Sequence, residues 1–175
     1  MPLYKYSNYT PSIADNCFIS DSSQVIGRAE LSSGVNVWFG TVIRADVNKI
    51  SIGDNTNIQD LSMLHVTEEN DLRIGSGVTV GHSVTLHACE IQNNCLIGMG
   101  AVVLDGAIIG EGSVVAAGSV VPPGKVYPKH SMILGNPAKV HRELRPEEIE
   151  MYSNHYKSYL KYAEDFRNPE IFSKI

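Results

Sequence analysis

The 175-residue chain is 43% hydrophobic with a net charge of −5 at pH 7, values that fit one globular domain able to bury its own core. No Lys/Arg stripe is present to neutralise phosphates, which sets nucleic acid aside, and no run approaches the ~20 apolar residues of a membrane span. The opening MPLYKYSNYTPSI lacks the charged start and apolar middle of a signal peptide, so a cytoplasmic protein is expected.

From Ile13 onward an aliphatic residue returns at every sixth position. Ile13, Ile19, Val25, Leu31, Val37 and Ile43 form one run, and Ile91, Ile97, Val103, Ile109, Val115 and Val121 another. Ile52, Ile58, Leu64 and Ile74, Val80, Leu86 lie between. Self-similarity at a fixed period decides the fold before any local reading. Glycine often follows the aliphatic residue, as at Gly53, Gly75 and Gly98, and a small or β-branched residue comes four positions on, as at Ala29, Thr41 and Ser62. Very short strands with one inward aliphatic each, separated by Gly/Asn/Asp corners, describe a parallel β-helix of triangular section. Cys17, Cys89 and Cys95 show no CxxC spacing and are read as packing residues.

Three hexads make one coil, and their phase assigns three faces. Positions 13, 31, 52, 74, 91 and 109 mark the first; 19, 37, 58, 80, 97 and 115 the second; 25, 43, 64, 86, 103 and 121 the third. The count breaks only between Ile43 and Ile52, Leu64 and Ile74, and Leu86 and Ile91, always at the same corner. A loop inserted at one corner leaves the stack in register. After Val121 the Pro/Gly-rich run VPPGKVYPKHSMILGNPAK is expected to end the repeat. From Pro146, Ile149, Tyr152, Tyr156, Tyr159, Leu160 and Ala163 fall at helical spacing, with Glu147 and Glu148 suited to the helix N-terminus. The expected organisation is a single domain over 1–175, with coils over 13–121, a capping and return loop over 122–145, and a C-terminal helix over 146–167.

His65 follows Leu64 and His87 follows Leu86, so both stand in the same phase of the third face, one coil apart. Strand spacing of ~4.8 Å suits two imidazoles converging on one ion. His82 follows Gly81 on the second face, out of reach within one chain. Three-fold packing of prisms would bring the third face of one chain to the second face of the next. Each interface would then hold His65 and His87 from one chain and His82 from its neighbour, three nitrogen ligands with an open position, as in catalytic zinc sites. Imidazole also suits iron and cobalt. His130, His141 and His155 lack such phasing. Arg44, one coil below His65, with Asp46 two residues on, and Gln59 and Asp60, one coil from His82, either hydrogen-bond the coil corners or meet at this interface, where Arg44 and Asp60 could pair.

The run RADVNKISIGDNTNIQD, then LSMLH and GHSVTLH, with the GNPAK segment and the Tyr-rich C-terminal stretch, closely resembles the gamma-class carbonic anhydrases and their homologues. The resemblance covers almost the whole chain. It implies a left-handed parallel β-helix of hexapeptide repeats, a homotrimer, and reversible hydration of carbon dioxide to bicarbonate at a zinc centre ligated by His65, His82 and His87. It also implies Arg44 and Asp60 as an inter-subunit pair, Gln59 and Asp46 as the hydrogen-bonding network around the reacting water, and Tyr156 as a tyrosine reaching the site. The sequence departs from the best-known family member at Val47, where that protein has glutamate, and in a shorter acidic loop; Glu68, Glu69 and Asp71, after His65, stand as relay candidates. Acyl transfer from coenzyme A, thioester hydrolysis and a non-catalytic metallo-scaffold are the competing readings, since hexapeptide-repeat acyltransferases share the fold and a GNPAK-like ending.

Overall fold

The computed structural model describes residues 2–174 of the chain. It is a left-handed parallel β-helix of about seven turns followed by a helical segment. The inward residues of the third face, Val25, Ile43, Leu64, Leu86, Val103 and Val121, stack in register and are fully buried. Ile13, Leu31, Ile52, Ile74, Ile91 and Ile109 stack on the first face. Ile19, Val37, Ile58, Val80, Ile97 and Val115 stack on the second. The three ladders meet in one apolar core. Each fully buried aliphatic contributes roughly 1.5–3 kcal/mol, which compensates for strands too short to persist alone.

Corners demand left-handed backbone. Asn55 and Asn94 take φ of 60° and 59° there, a conformation asparagine tolerates. The extra residues after Ile43 are absorbed without a loop. Val42–Ile52 runs around the corner as one strand beside Gln24–Leu31, with a register shift between Gly27 and Ala29. Gly27, at φ 77°, is required, because a side chain there would collide with the Ala45 carbonyl. The insertion after Leu64 forms a turn in which Thr67 N donates to Asn70 O and Asn70 N to Thr67 Oγ1. Asn48 Nδ2 donates to Glu68 O at 3.2 Å, tying the two insertions together.

Two boundaries differ from the sequence expectation. The repeat does not stop at Val121: Tyr127 continues the first face and Ile133 the second, both buried. At the other end Leu3 joins the third face beside Val25. Tyr127 fills an aliphatic position because its hydroxyl reaches the Ala138 carbonyl at 2.8 Å. The chain then reverses, Ser131–Gly135 pairing antiparallel with Ala138–Glu143.

The helix expected over 146–167 is two, α1 (Pro146–Ser153) and α2 (Tyr156–Arg167). The break falls where Asn154 Nδ2 takes the Glu150 carbonyl, and the next bonds tighten to three-residue spacing, as in His155 N to Tyr152 O. Glu148, in the first turn of α1, caps it: its carboxylate accepts from Arg145 N, is gripped bidentately by the Arg142 guanidinium at 2.7 and 2.8 Å, and accepts from the Arg145 guanidinium at 3.0 Å. Those guanidiniums hold the Glu148 carboxyl well below the usual range. α2 lies on the second face, where Ala163 and Phe166 pack with Phe18 and Trp38, the Trp38 and Phe166 rings 5.1 Å apart.

Candidate metal centre

His65 and His87 pair in parallel register, just as Leu64 pairs with Leu86 beneath them. Alternation along a strand sends the leucines inward and the histidines outward, so the core fixes where the imidazoles emerge. His65 Nδ1 lies 3.0 Å from His87 Nε2, with ring centroids 5.0 Å apart. Arg44 stacks in register on the other side of His65.

Each of the three histidines carries a carboxylate on its other ring nitrogen. Asp46 Oδ1 is 3.1 Å from His65 Nε2, Asp105 Oδ1 accepts from His87 Nδ1, and Asp60 Oδ2 is 2.7 Å from His82 Nδ1. A carboxylate so placed fixes the tautomer and turns the lone pair to the opposite nitrogen. Burial acts to raise the Asp46 carboxyl, but hydrogen bonds from Arg44 and the Val47 N–H outweigh it and hold Asp46 below its ordinary value. Burial also pushes the His65 imidazole down; Asp46 opposes this and Arg44 adds to it. The neutral ring is the form that ligates metal.

With both outer protons given to carboxylates, the lone pairs of His65 Nδ1 and His87 Nε2 face each other, which requires a proton or a cation between them. A tetrahedral ion with Zn–N bonds of ~2.0–2.1 Å would set two ligand nitrogens about 3.3 Å apart. The observed 3.0 Å is within a few tenths of that, so this pair of donors fits a metal. His82 stands at another corner. Among the described residues no group of three His, Cys, Asp or Glu side chains is disposed to hold an ion within one chain.

The second face supplies the remaining polar groups. Gln59 is buried and its Nε2 donates to Asn57 Oδ1 at 3.1 Å; Asn57 Nδ2 donates to Thr79 Oγ1 at 2.9 Å. Gln59 lines a cleft of about 530 Å³ with Gly81, Met99, His155, Tyr159 and Tyr162. Asp60 and His82 line a neighbouring apolar recess with Phe39, Tyr159 and Tyr162. Arg44 pairs within the chain with Asp46. Tyr156 is elsewhere: its ring packs over Gly77, where an added Cβ would sit 3.2 Å from Cε1. The tyrosines beside Asp60 and His82 are Tyr159 and Tyr162, further along the same helix α2. Burial and the Asp60 charge push the Tyr159 hydroxyl up. Asp105 is the other residue the sequence pattern did not single out; the available signal was an acid in the coil after His87, one residue past the stacked position. Burial pushes the Cys95 thiol up to about 12 and Cys89 higher still, as packing roles require.

Residues 88–123 match the bacterial transferase hexapeptide (six repeats) family. The chain is 44% identical to a carbonic anhydrase of Geobacillus kaustophilus, over 84% of this chain and 81% of that protein. It is 39% identical to the mitochondrial gamma carbonic anhydrase 2 of Arabidopsis thaliana over 89% of its own length, but spans only 58% of that relative. Among solved structures, a Bacillus cereus protein with a provisional acetyltransferase name superposes with a TM-score of 0.92 at 40% identity, over 94% of this chain and 96% of that one.

Proposed function

The chain belongs to the gamma-class carbonic anhydrase family of hexapeptide-repeat proteins, and on that premise we propose that it hydrates carbon dioxide reversibly at a metal centre shared between subunits of a homotrimer. The observation that carries this reading is the facing pair of nitrogens, His65 Nδ1 and His87 Nε2, each backed by a carboxylate. His65 and His87 of one chain and His82 of the partner subunit would hold the ion, zinc by preference, with iron or cobalt chemically admissible. Bound there, the cation would supply the charge that brings the ionisation of water down toward neutral pH.

The chain's own residues position the reactants. Gln59 commits its Nε2 to Asn57, which leaves Oε1 to accept from and orient the attacking water. The recess beside His82 is walled by Phe39, Tyr159 and Tyr162, an apolar surface suited to carbon dioxide. Asp46 accepts from His65 and Arg44 together, which holds the site's polar frame in one arrangement. The Arg44 side chain is 43% exposed in the single chain, so its guanidinium, while bound to Asp46, can also reach Asp60 of the partner subunit and lock register. The outward ladder Val42, Met63, Thr85, Val102 and Val120 gives the third face an apolar strip for such an interface. The product proton must leave the site for solvent. Val47 cannot carry it, so the exposed carboxylates of Glu68 and Glu69, on the insertion tied to Asn48, are the groups placed to pass it outward.

A second reading, acyl transfer from coenzyme A, draws on the 530 Å³ cleft, where His155 presents an imidazole that could act as a base. Stopped-flow hydration of carbon dioxide on zinc- and iron-loaded protein tests the first reading. Turnover with either ion supports it; no turnover with both, together with coenzyme A binding, favours the second, and neither property leaves a metal-binding scaffold.

A further inference from the structure

The carboxylate of Asp105 has no structural duty at its own corner. The turn there is closed by the backbone: Gly106 N donates to Ala88 O at 2.7 Å, Ala107 N to Leu104 O at 3.1 Å, and Gly124 N to Asp105 O at 2.8 Å. One coil on, the residue before the corresponding corner glycine, Gly124, is Pro123, so the fold asks for no acid at this position. No Lys or Arg pairs with Asp105 among the described residues; its ion-pair contact is His87 Nδ1. His87 in turn presents Nε2 to His65.

Resting on the metal-centre reading above, we infer that Asp105 is a positioning residue: by accepting the Nδ1–H of His87 it fixes the tautomer and ring angle in which His87 Nε2 ligates the shared cation. An imidazole hinged only at Cβ could rotate or take the other tautomer, which would put a proton where the ligand lone pair belongs. Asp46 and Asp60 do the same for His65 and His82, but each also sits where inter-subunit contacts are proposed. Asp105 acts through His87 alone, which makes its contribution separable from assembly.

The test compares assembled wild-type protein with Asp105→Ala and Asp105→Asn. Zinc affinity is read by chelator competition, ligand geometry by the visible spectrum of the cobalt-substituted protein, and fold integrity by the thermal midpoint of the metal-free protein. Asp105→Ala is expected to weaken zinc about 10- to 100-fold and to shift the cobalt bands, with the metal-free midpoint unchanged. Asp105→Asn, whose Oδ1 still accepts the Nδ1–H, is expected to fall between. Wild-type affinity and an unaltered cobalt spectrum in Asp105→Ala would overturn the inference, as would a fall in the metal-free midpoint that accounts for the affinity loss. Wild-type protein that takes up neither ion would overturn the metal-centre reading itself, and the inference with it.

Discussion

His65 Nδ1 and His87 Nε2 face each other at 3.0 Å across adjacent coils, held there by a parallel register in which Leu64 and Leu86 are wholly buried. The site is thus coupled to the core directly beneath it. Leu86→Ala should cost about 2–5 kcal/mol of stability, since the neighbouring ladders cannot collapse into the gap. It should also weaken metal binding, because His87 is the next residue. Urea denaturation and zinc titration of the same preparation would check both effects; intact affinity alongside the stability loss would show that site and core are independent.

Gly81 sets the place of His82. An added Cβ would come within 2.9 Å of Ile97 O and Met99 N in the next coil, both backbone atoms. Gly81→Ala should therefore part the coils and displace His82, lowering metal content. Gly118→Ala is the control: its Cβ would meet nothing within 4 Å, leaving only the left-handed φ of 68° to penalise it, by roughly 1–2 kcal/mol. Crystal structures or hydrogen exchange across Ile97–Met99 would separate the two.

Gln59 is predicted to act on the reaction and not on metal uptake. Gln59→Leu keeps the volume but removes the acceptor, so turnover should fall while zinc content stays at the wild-type level. Zinc analysis beside hydration kinetics decides; a parallel loss of metal would make Gln59 a structural residue.

Glu148 gives a pH signature. Its carboxyl is held below the value of 4.5 it would have free, so the stability it contributes is fully present above that pH and lost as pH falls toward the folded value. Glu148→Gln should lower the thermal midpoint at pH 7, and the gap to wild type should close progressively below pH 4.5. A gap independent of pH would mean that Arg142 and Arg145 contribute nothing through charge.

The three ladders and the stacking of His65 on His87 could be read from sequence because a six-residue period is geometry written directly into the chain. The solenoid's last strands could not: Tyr127 breaks the aliphatic pattern, and prolines surround it although its hydroxyl finds Ala138. The helix break depends on a side-chain bond from Asn154 to Glu150, invisible to periodicity. Nor does helical spacing say which tyrosines of α2 stand beside Asp60 and His82; they are Tyr159 and Tyr162, while Tyr156 packs over Gly77. Asp105 is not legible from the period because its partner is fixed by coil stacking and corner geometry together, not by phase alone.

A metal centre built from two chains is tested most directly by mixing variants. His65→Ala and His82→Ala proteins should each assemble without interfacial metal. Unfolded together in equal amounts and reassembled, they should regain zinc at about one interface in four, where the third face of a His82→Ala chain meets the second face of a His65→Ala chain. No recovery on mixing, or full zinc content in His82→Ala alone, would contradict the shared site.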